Sequence, residues 1–246
     1  MIKFIIYLTK TIVALLVALL VSSCQYSFDF GDSVKGSGNV TTETRQISED
    51  FTNIEVSRGI EVEITQNSSK SVEVKADDNI INYIITKVED GTLLITLDKS
   101  IKNSSTKKVM ITMPSIESLR TSSGSSIESN NTLVVSKIDL RASSGSEINL
   151  SIEAEDIKCE SSSGSDITLE GKALKLETSS SSGSDIDAQN LLANDVVAKS
   201  SSGSSIEIHP ILSLNAKASS GGDIKYYKNP KVINKKTSSG GSVYSN

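Results

Sequence analysis

One tripeptide, Ser-Ser-Gly, recurs through the second half of this 246-residue chain, with its glycine at Gly124, Gly145, Gly164, Gly183, Gly203, Gly221 and Gly240. Successive glycines stand 21, 19, 19, 20, 18 and 19 residues apart. Apolar residues keep fixed offsets around them. Three places after each glycine comes Ile127, Ile148, Ile167, Ile186, Ile206, Ile224 or Val243. Seven before it, from the second repeat on, stands Ile138, Ile157, Leu176, Val196, Leu214 or Ile233, and the residue three before it is always small. These offsets alternate with period two on either side of the glycine, which is the strand period and not the helical one. Each repeat therefore reads as strand, tight turn, strand and looser return. A unit this short cannot bury its own apolar face, but copies stacked about 4.8 Å apart can. The fold implied is all-β: a right-handed parallel β-solenoid (β-helix) with rungs of about 19 residues and two main sheets.

In that setting the Ser-Gly tract marks a corner and not a linker. The glycine supplies positive φ, and the serines before it are expected to hydrogen-bond the turn's backbone. Serines at matching places in successive rungs are expected to stack as a hydroxyl ladder. The pattern extends weakly upstream. In "FTNIEVSRGIEVEI" Gly59 has Val62 and Ile64 at the plus-three and plus-five places, and in "SVEVKADDN" Asn79 stands where the next glycine would be. Residues 119–246 read as regular repeats, and 47–118 as irregular rungs that cap them.

The N-terminus has a different character. Lys3 and Lys10 flank or precede the apolar run "TIVALLVALLV", which is short for a membrane span and ends in "LVSSC" at Cys24. Small residues before a cysteine at the end of such a run resemble the lipobox of a bacterial lipoprotein. On this reading residues 1–23 are a signal peptide and Cys24 is the lipidated first residue of the mature chain. Residues 24–46 would then form a tether to the outer membrane, with display at the cell surface. The second cysteine, Cys159, reads as a small buried residue.

The run "FTNIEVSRGIEVEIT", then "VEVKADDNII" and "VEDGTLLITL", then "MPSIESLRTSSGSSI" with its serial SSGS turns, resembles the head GIN domain family of auto-transporter adhesins. The resemblance covers roughly residues 47–246. It implies a β-superhelix of pectin-lyase-like shape, cell adhesion as the activity, and no catalytic residues to carry over. An auto-transporter would also carry its own outer-membrane barrel, so here anchoring would fall to the lipid.

The residues argue against chemistry. A net charge of −5 gives no basis for binding nucleic acid phosphates. His209 is the only histidine and reads as a loop residue at a rung exit, so neither a zinc site nor a nucleophile–base pair can be assembled. No phosphate loop, cofactor or metal site is expected. The outward positions are more informative. Glu128, Glu147, Asp166, Asp185, Asp187, Glu207 and Asp223 follow the glycines by two or four places, while Arg120, Arg141, Lys199, Lys217 and Lys236 precede them by four. This predicts one mostly acidic face and one mostly basic face. Glu147, Asp166 and Asp185 should stack on consecutive rungs, splayed into water or around a cation. Near the end Tyr227 and Tyr244 point outward and Tyr226 inward, as a sugar-stacking patch or as a plug for the last rung.

Together these residues predict a surface-binding envelope lipoprotein. Its candidate contacts are Glu147, Asp166, Asp185, Asp187, Tyr227 and Tyr244, and its partners a glycan, a protein surface or a further copy of itself. Two alternatives stand beside it: a structural lipoprotein without a specific ligand, and a polysaccharide-active enzyme of the same shape.

Overall fold

The computed structural model describes residues 33–246 together with Tyr7 and Lys10, so Cys24 and the predicted signal peptide lie outside the described residues. The folded unit is built almost wholly of strand. Its upstream part holds β1 (Val34–Lys35), β2 (Val40–Thr44), β3 (Asn53–Val56), β4 (Glu61–Gln66) and β5 (Ser71–Asp77), then β6 (Ile84–Glu89), β7 (Thr92–Leu97), β8 (Ile101–Asn103) and β9 (Lys107–Met113). The regular part runs through β10 (Ser118–Thr121), β11 (Ser126–Ser129), β12 (Leu133–Ser143), β13 (Glu147–Ser162), β14 (Asp166–Ser181), β15 (Asp185–Ser200) and β16 (Ser205–Ala218). It ends with β17 (Asp223–Tyr226), β18 (Val232–Thr237) and β19 (Ser242–Ser245).

Every pairing from β10 onward is parallel, and the register repeats the sequence offsets. The plus-three column runs Val62, Ile127, Ile148, Ile167, Ile186, Ile206, Ile224, Val243. All but the last are buried. The structure is a β-solenoid of about seven turns. Aliphatic side chains of like shape stacked rung on rung form its core. At about 25 cal/mol per Å² of apolar surface, each fully buried isoleucine is worth roughly 2–3 kcal/mol.

The return half of each rung is not a loop. β13, β14 and β15 are 16-residue strands that run on past the bend. Alternation slips phase once, between Ile152 and Ile157, and the ladder to β14 steps over Glu155 at that point. In β12 to β15 one bend residue, stepped over by the ladder, makes the corner while adjacent backbones stay paired. His209 and Pro210 belong to this corner within β16, where the register to β15 shifts. The histidine is therefore in a strand and not in a loop, with Nδ1 3.2 Å from the Gln189 carbonyl.

At the sharp corner two residues, not one, adopt positive φ. Ser163 (56°) precedes Gly164 (67°), and the other six Ser-Gly pairs do the same. Two consecutive left-handed residues are the signature of a type I′ turn, closed here by bonds such as that from the Ser125 amide to the Ser122 carbonyl (3.3 Å). Serine in this conformation aims its carbonyl along the solenoid axis. The amides of Gly124, Gly145, Gly164, Gly183, Gly203 and Gly221 donate to Ser144, Ser163, Ser182, Ser202, Ser220 and Ser239 at 3.1–3.2 Å, joining all seven turns into one column. Arg58-Gly59 repeats the pair upstream, as predicted for Gly59. Asn79 does not: β5 runs antiparallel to β2 and β9, and the Asn79 side chain ties the backbone of Lys35 and Ser37.

The serines also differ from expectation in which of them work. The buried serine after the glycine holds the turn: Ser165 Oγ accepts from the Ser162 amide at 3.1 Å and donates to the Ser162 carbonyl at 2.8 Å. Ser161 Oγ, three before the glycine, donates to the Ser165 carbonyl at 2.8 Å. Ser180 with Ser184, and Ser200 with Ser204, repeat the pair. Most of the hydroxyl bonding thus closes within a rung, and only contacts such as Thr121–Ser146 (2.9 Å) cross between rungs.

The cap begins earlier than the tether boundary at residue 46 suggests. β2 pairs antiparallel with β5, and the buried Asp77 carboxylate accepts from the amides of Gly38 (2.9 Å) and Ser105 (3.0 Å). Residues 34–44 are thereby sewn onto the solenoid end.

Two predictions test this account. Gly171, at φ 121°, has no room for a Cβ, which would lie 2.1 Å from the Ile152 carbonyl oxygen, whereas a Cβ on Gly164 meets nothing within 4 Å. Thermal melts should therefore show Gly164→Ala costing about 1–2 kcal/mol of left-handed strain and Gly171→Ala about 3 kcal/mol or more. Equal losses would sink the distinction. The Asp77 carboxyl is held below the usual carboxylate range, first by the Gly38 amide, with burial opposing. A depressed folded-state value contributes stability that is complete above the unfolded pKa of about 4 and is lost as pH falls through the folded value. Amide exchange in β2 should rise on acidification in that window, and Asp77→Asn should show the same rise at neutral pH.

Candidate functional site

The outer face of the strands that follow the sharp corner is the most regular surface of the molecule. Period-two alternation puts the residues two and four after each glycine outward, and the parallel register stacks them. One column runs Lys108, Glu61, Ser126, Glu147, Asp166, Asp185, Ser205, Asp223, Ser242. Its neighbour runs Met110, Glu63, Glu128, Asn149, Thr168, Asp187, Glu207, Lys225, Tyr244. The predicted acidic face is present, with Glu147, Asp166 and Asp185 on consecutive rungs. Burial first, and then the charges of Asp185 and Glu147, push the Asp166 carboxyl above the ordinary carboxylate range. Among the described residues no group of His, Cys, Asp and Glu is arranged to hold a metal ion. Asn149 donates to Glu147 at 2.7 Å and Gln189 to Asp187 at 3.0 Å, which spreads part of the charge into hydrogen bonds.

Each end of this face is different. At the cap end Lys108 pairs with Glu63 (2.5 Å), and both Glu63 and Glu61 raise its pKa. At the other end Lys225 Nζ donates to Tyr227 Oη at 2.7 Å and sits 4.5 Å from the centre of that ring, while Tyr227 donates to Glu207. Tyr244 stands beside Lys225 in register and is 47% exposed. Tyr226, one residue before Tyr227, points inward and is buried. The structure thus brings Tyr227 and Tyr244 together with Lys225 and Glu207, one to three rungs from Asp187.

The opposite face is not the basic face predicted. Arg141 lies 2.7 Å from Asp139 and 3.4 Å from Glu160, Lys158 lies 2.8 Å from Glu160, and Lys199 lies 3.6 Å from Glu177. The column six before each glycine carries Asp139, Lys158 and Glu177, with signs opposed to their neighbours, a contribution that offsets taken at minus four alone cannot reveal. Exposed pairs of this kind are worth about 0–1 kcal/mol each. Only the last rungs, with Lys199, Lys217 and Lys236, are basic.

Sequence offsets also missed the surface around the return corner, where aliphatic residues stand outward. Val134 is 64% and Leu174 56% exposed, and with Leu192 they line a shallow groove of about 770 Å³. A neighbouring groove of about 740 Å³ runs from Gln66 and Pro114 along Lys137 and Lys158. The break in alternation near residues 154–156 was the available signal. Cys159 is buried and free, and burial pushes its thiol far above the ordinary range, so it is unreactive as expected.

The fold defines a class: β-solenoids of parallel rungs stacked on Ser-Gly corners. Within that class the chain belongs to the family described as "Putative auto-transporter adhesin, head GIN domain", whose model matches residues 50–230. Its fold is shared with a putative adhesin from Bacteroides fragilis, 23% identical with a TM-score of 0.80, covering 87% of this chain and 100% of that one. A putative lipid binding protein from Parabacteroides distasonis is similar at 20% identity and TM-score 0.71, covering 87% and 100%. A putative adhesin from Parabacteroides merdae is similar at 20% identity and TM-score 0.69, covering 88% and 100%. No curated protein matches the chain.

The raised pKa of Asp166 yields a signed prediction. A carboxyl whose folded-state value lies above its unfolded value destabilises once ionised, so its cost is absent below about pH 4 and complete above the folded value. Asp166→Asn should therefore raise the melting temperature at neutral pH and leave it unchanged near pH 3. A lower melting temperature at neutral pH would show the carboxylate to be stabilising.

Proposed function

We propose that this protein is an adhesin of the bacterial envelope that binds by the outer face following its sharp corners, without catalysis. What carries the reading is the unbroken register of that face: nine paired strands spaced about 4.8 Å apart present some 40 Å of repeated outward positions. A rigid surface of this kind lets weak contacts repeat and sum, because the second contact forms at high effective concentration. Glu147, Asp166, Asp185 and Asp187 form the acidic stretch, which suits a partner bearing cationic groups. Tyr227 and Tyr244, beside Lys225 and Glu207, form a platform on which a sugar ring can stack while its hydroxyls meet charged groups. Anchoring falls to Cys24 through a lipid, which places the solenoid on the outer membrane. No helix among the described residues is long and apolar enough to cross a membrane.

The test compares cells that express the full-length protein with cells that lack it, on host glycans, mucin and other bacteria. Expressing cells should adhere better, and added salt should weaken binding, since screening acts over about 10 Å at 0.1 M. Reversal of Asp166, Asp185 and Asp187 to Lys, or Tyr244→Ala, should reduce adhesion without lowering the melting temperature. Cys24→Ala should release the protein from the membrane fraction. Equal adhesion by both strains on every surface would favour a structural role, and turnover of a polysaccharide by the protein would overturn the reading.

A further inference from the structure

The inward columns of the solenoid stop in an unusual way. Five residues before each glycine the register aligns Leu119, Leu140, Cys159, Thr178, Ala198 and Ala216, all buried. The seventh member of this column, on the last rung, is Lys235. By register this lysine takes an inward place of the terminal rung, where the open end of the stack leaves it exposed. Its Nζ donates to Tyr226 Oη at 2.7 Å and sits 4.5 Å from the centre of that ring. Tyr226 is itself an inward residue of the preceding rung, buried where earlier rungs carry Leu150, Leu169, Ala188 and Ile208. In the same last rung Thr237 and Ser245 take inward places, and Ile233 is left 42% exposed.

This end would otherwise be adhesive. Among the described residues, β18 pairs only with β16 and β19 only with β17. The outer edges of β18 and β19 therefore offer a row of unpaired amides and carbonyls, which is a template for another strand. The surface that fits such an edge best is the same edge of a second copy, turned about a two-fold axis. Pairing of that kind would press Lys235 of each copy into the joint. An ammonium removed from water without an anionic partner is strongly disfavoured, and inward-pointing charges on edge strands are a recognised block to edge-to-edge association. We infer that Lys235, braced by Tyr226, is a stop residue that prevents a second copy from docking on the C-terminal rung, so that the protein presents its faces as a single rod.

The decisive measurement is the association state of the full-length chain in density-matched detergent, followed by sedimentation over about a hundredfold range of concentration. The unaltered protein and Lys236→Ile, which changes the outward neighbour aligned with Lys217, should remain monomeric throughout. Lys235→Ile should form dimers whose population rises with concentration. Lys235→Met, which keeps a long unbranched stem against Tyr226, should do the same, and Lys235→Glu should not. Circular dichroism confirms that each variant retains the strand spectrum. Native-like Lys235→Ile and Lys235→Met that stay monomeric would overturn the inference. So would an unaltered protein that already dimerises no more weakly than they do. Because the readout is mass and not adhesion, either result stands apart from the adhesin reading.

Discussion

The contact on which this structure most depends is the hydrogen bond from each corner glycine amide to the serine carbonyl of the next turn. It requires two left-handed residues in a row, because only then does the serine carbonyl point along the axis while the strands on either side stay in plane. Once one turn is seated on the next, the register of both strands is set, and a one-residue slip would turn every isoleucine of the core outward. The buried serine after the glycine keeps the turn closed from within. Where that serine gives way to Gly222 and Gly241, the backbone lies closer still to the preceding rung: a Cβ there would meet the Ser200 or Ala218 carbonyl carbon at 2.6 and 2.5 Å.

This register transmits local chemistry over distance. Residues two places after successive glycines become neighbours, so Asp166 has Glu147 and Asp185 on either side, and the acidic stretch is a property of the stack and of no single rung. The opposite face follows the same rule with a different result: adjacent columns of opposed sign neutralise each other into a lattice of exposed ion pairs. The two flanks thus differ in field although they are built from the same repeat. The ends differ in chemistry as well, since antiparallel strands and the Asp77 clasp close one, while the other is an open rung that carries Lys235 against Tyr226.

Much of this was legible in the chain. Fixed offsets of Ile127, Ile148, Ile167 and their successors from the glycines carry both the strand period and the rung length, which is why the parallel solenoid and the stacking of Glu147, Asp166 and Asp185 could be read directly. The upstream region was harder. "SVEVKADDN" matches the repeat in alternation yet forms an antiparallel cap strand, because alternation records which side of a strand is buried and is blind to its direction. The exposed Val134, Leu174 and Leu192 went unseen for a related reason: Val134 and Leu192 fall on outward places that their apolar character conceals, and Leu174 sits where alternation slips.

By itself, then, the sequence determined the rung: its length, its inward and outward residues, and the place of its sharp corner, all of which rest on local steric preference and period-two burial. Only the tertiary structure decided what the rungs do to one another. Whether a serine before glycine turns left-handed, whether two charged columns cancel, where residues 34–44 attach, and that Lys235 occupies a core position at an open edge are matters of neighbours about 4.8 Å away across the stack and about 19 residues away along the chain. Such neighbours supply the hydrogen-bond partners and the charges, and a chain read along its length does not show them until the register is known.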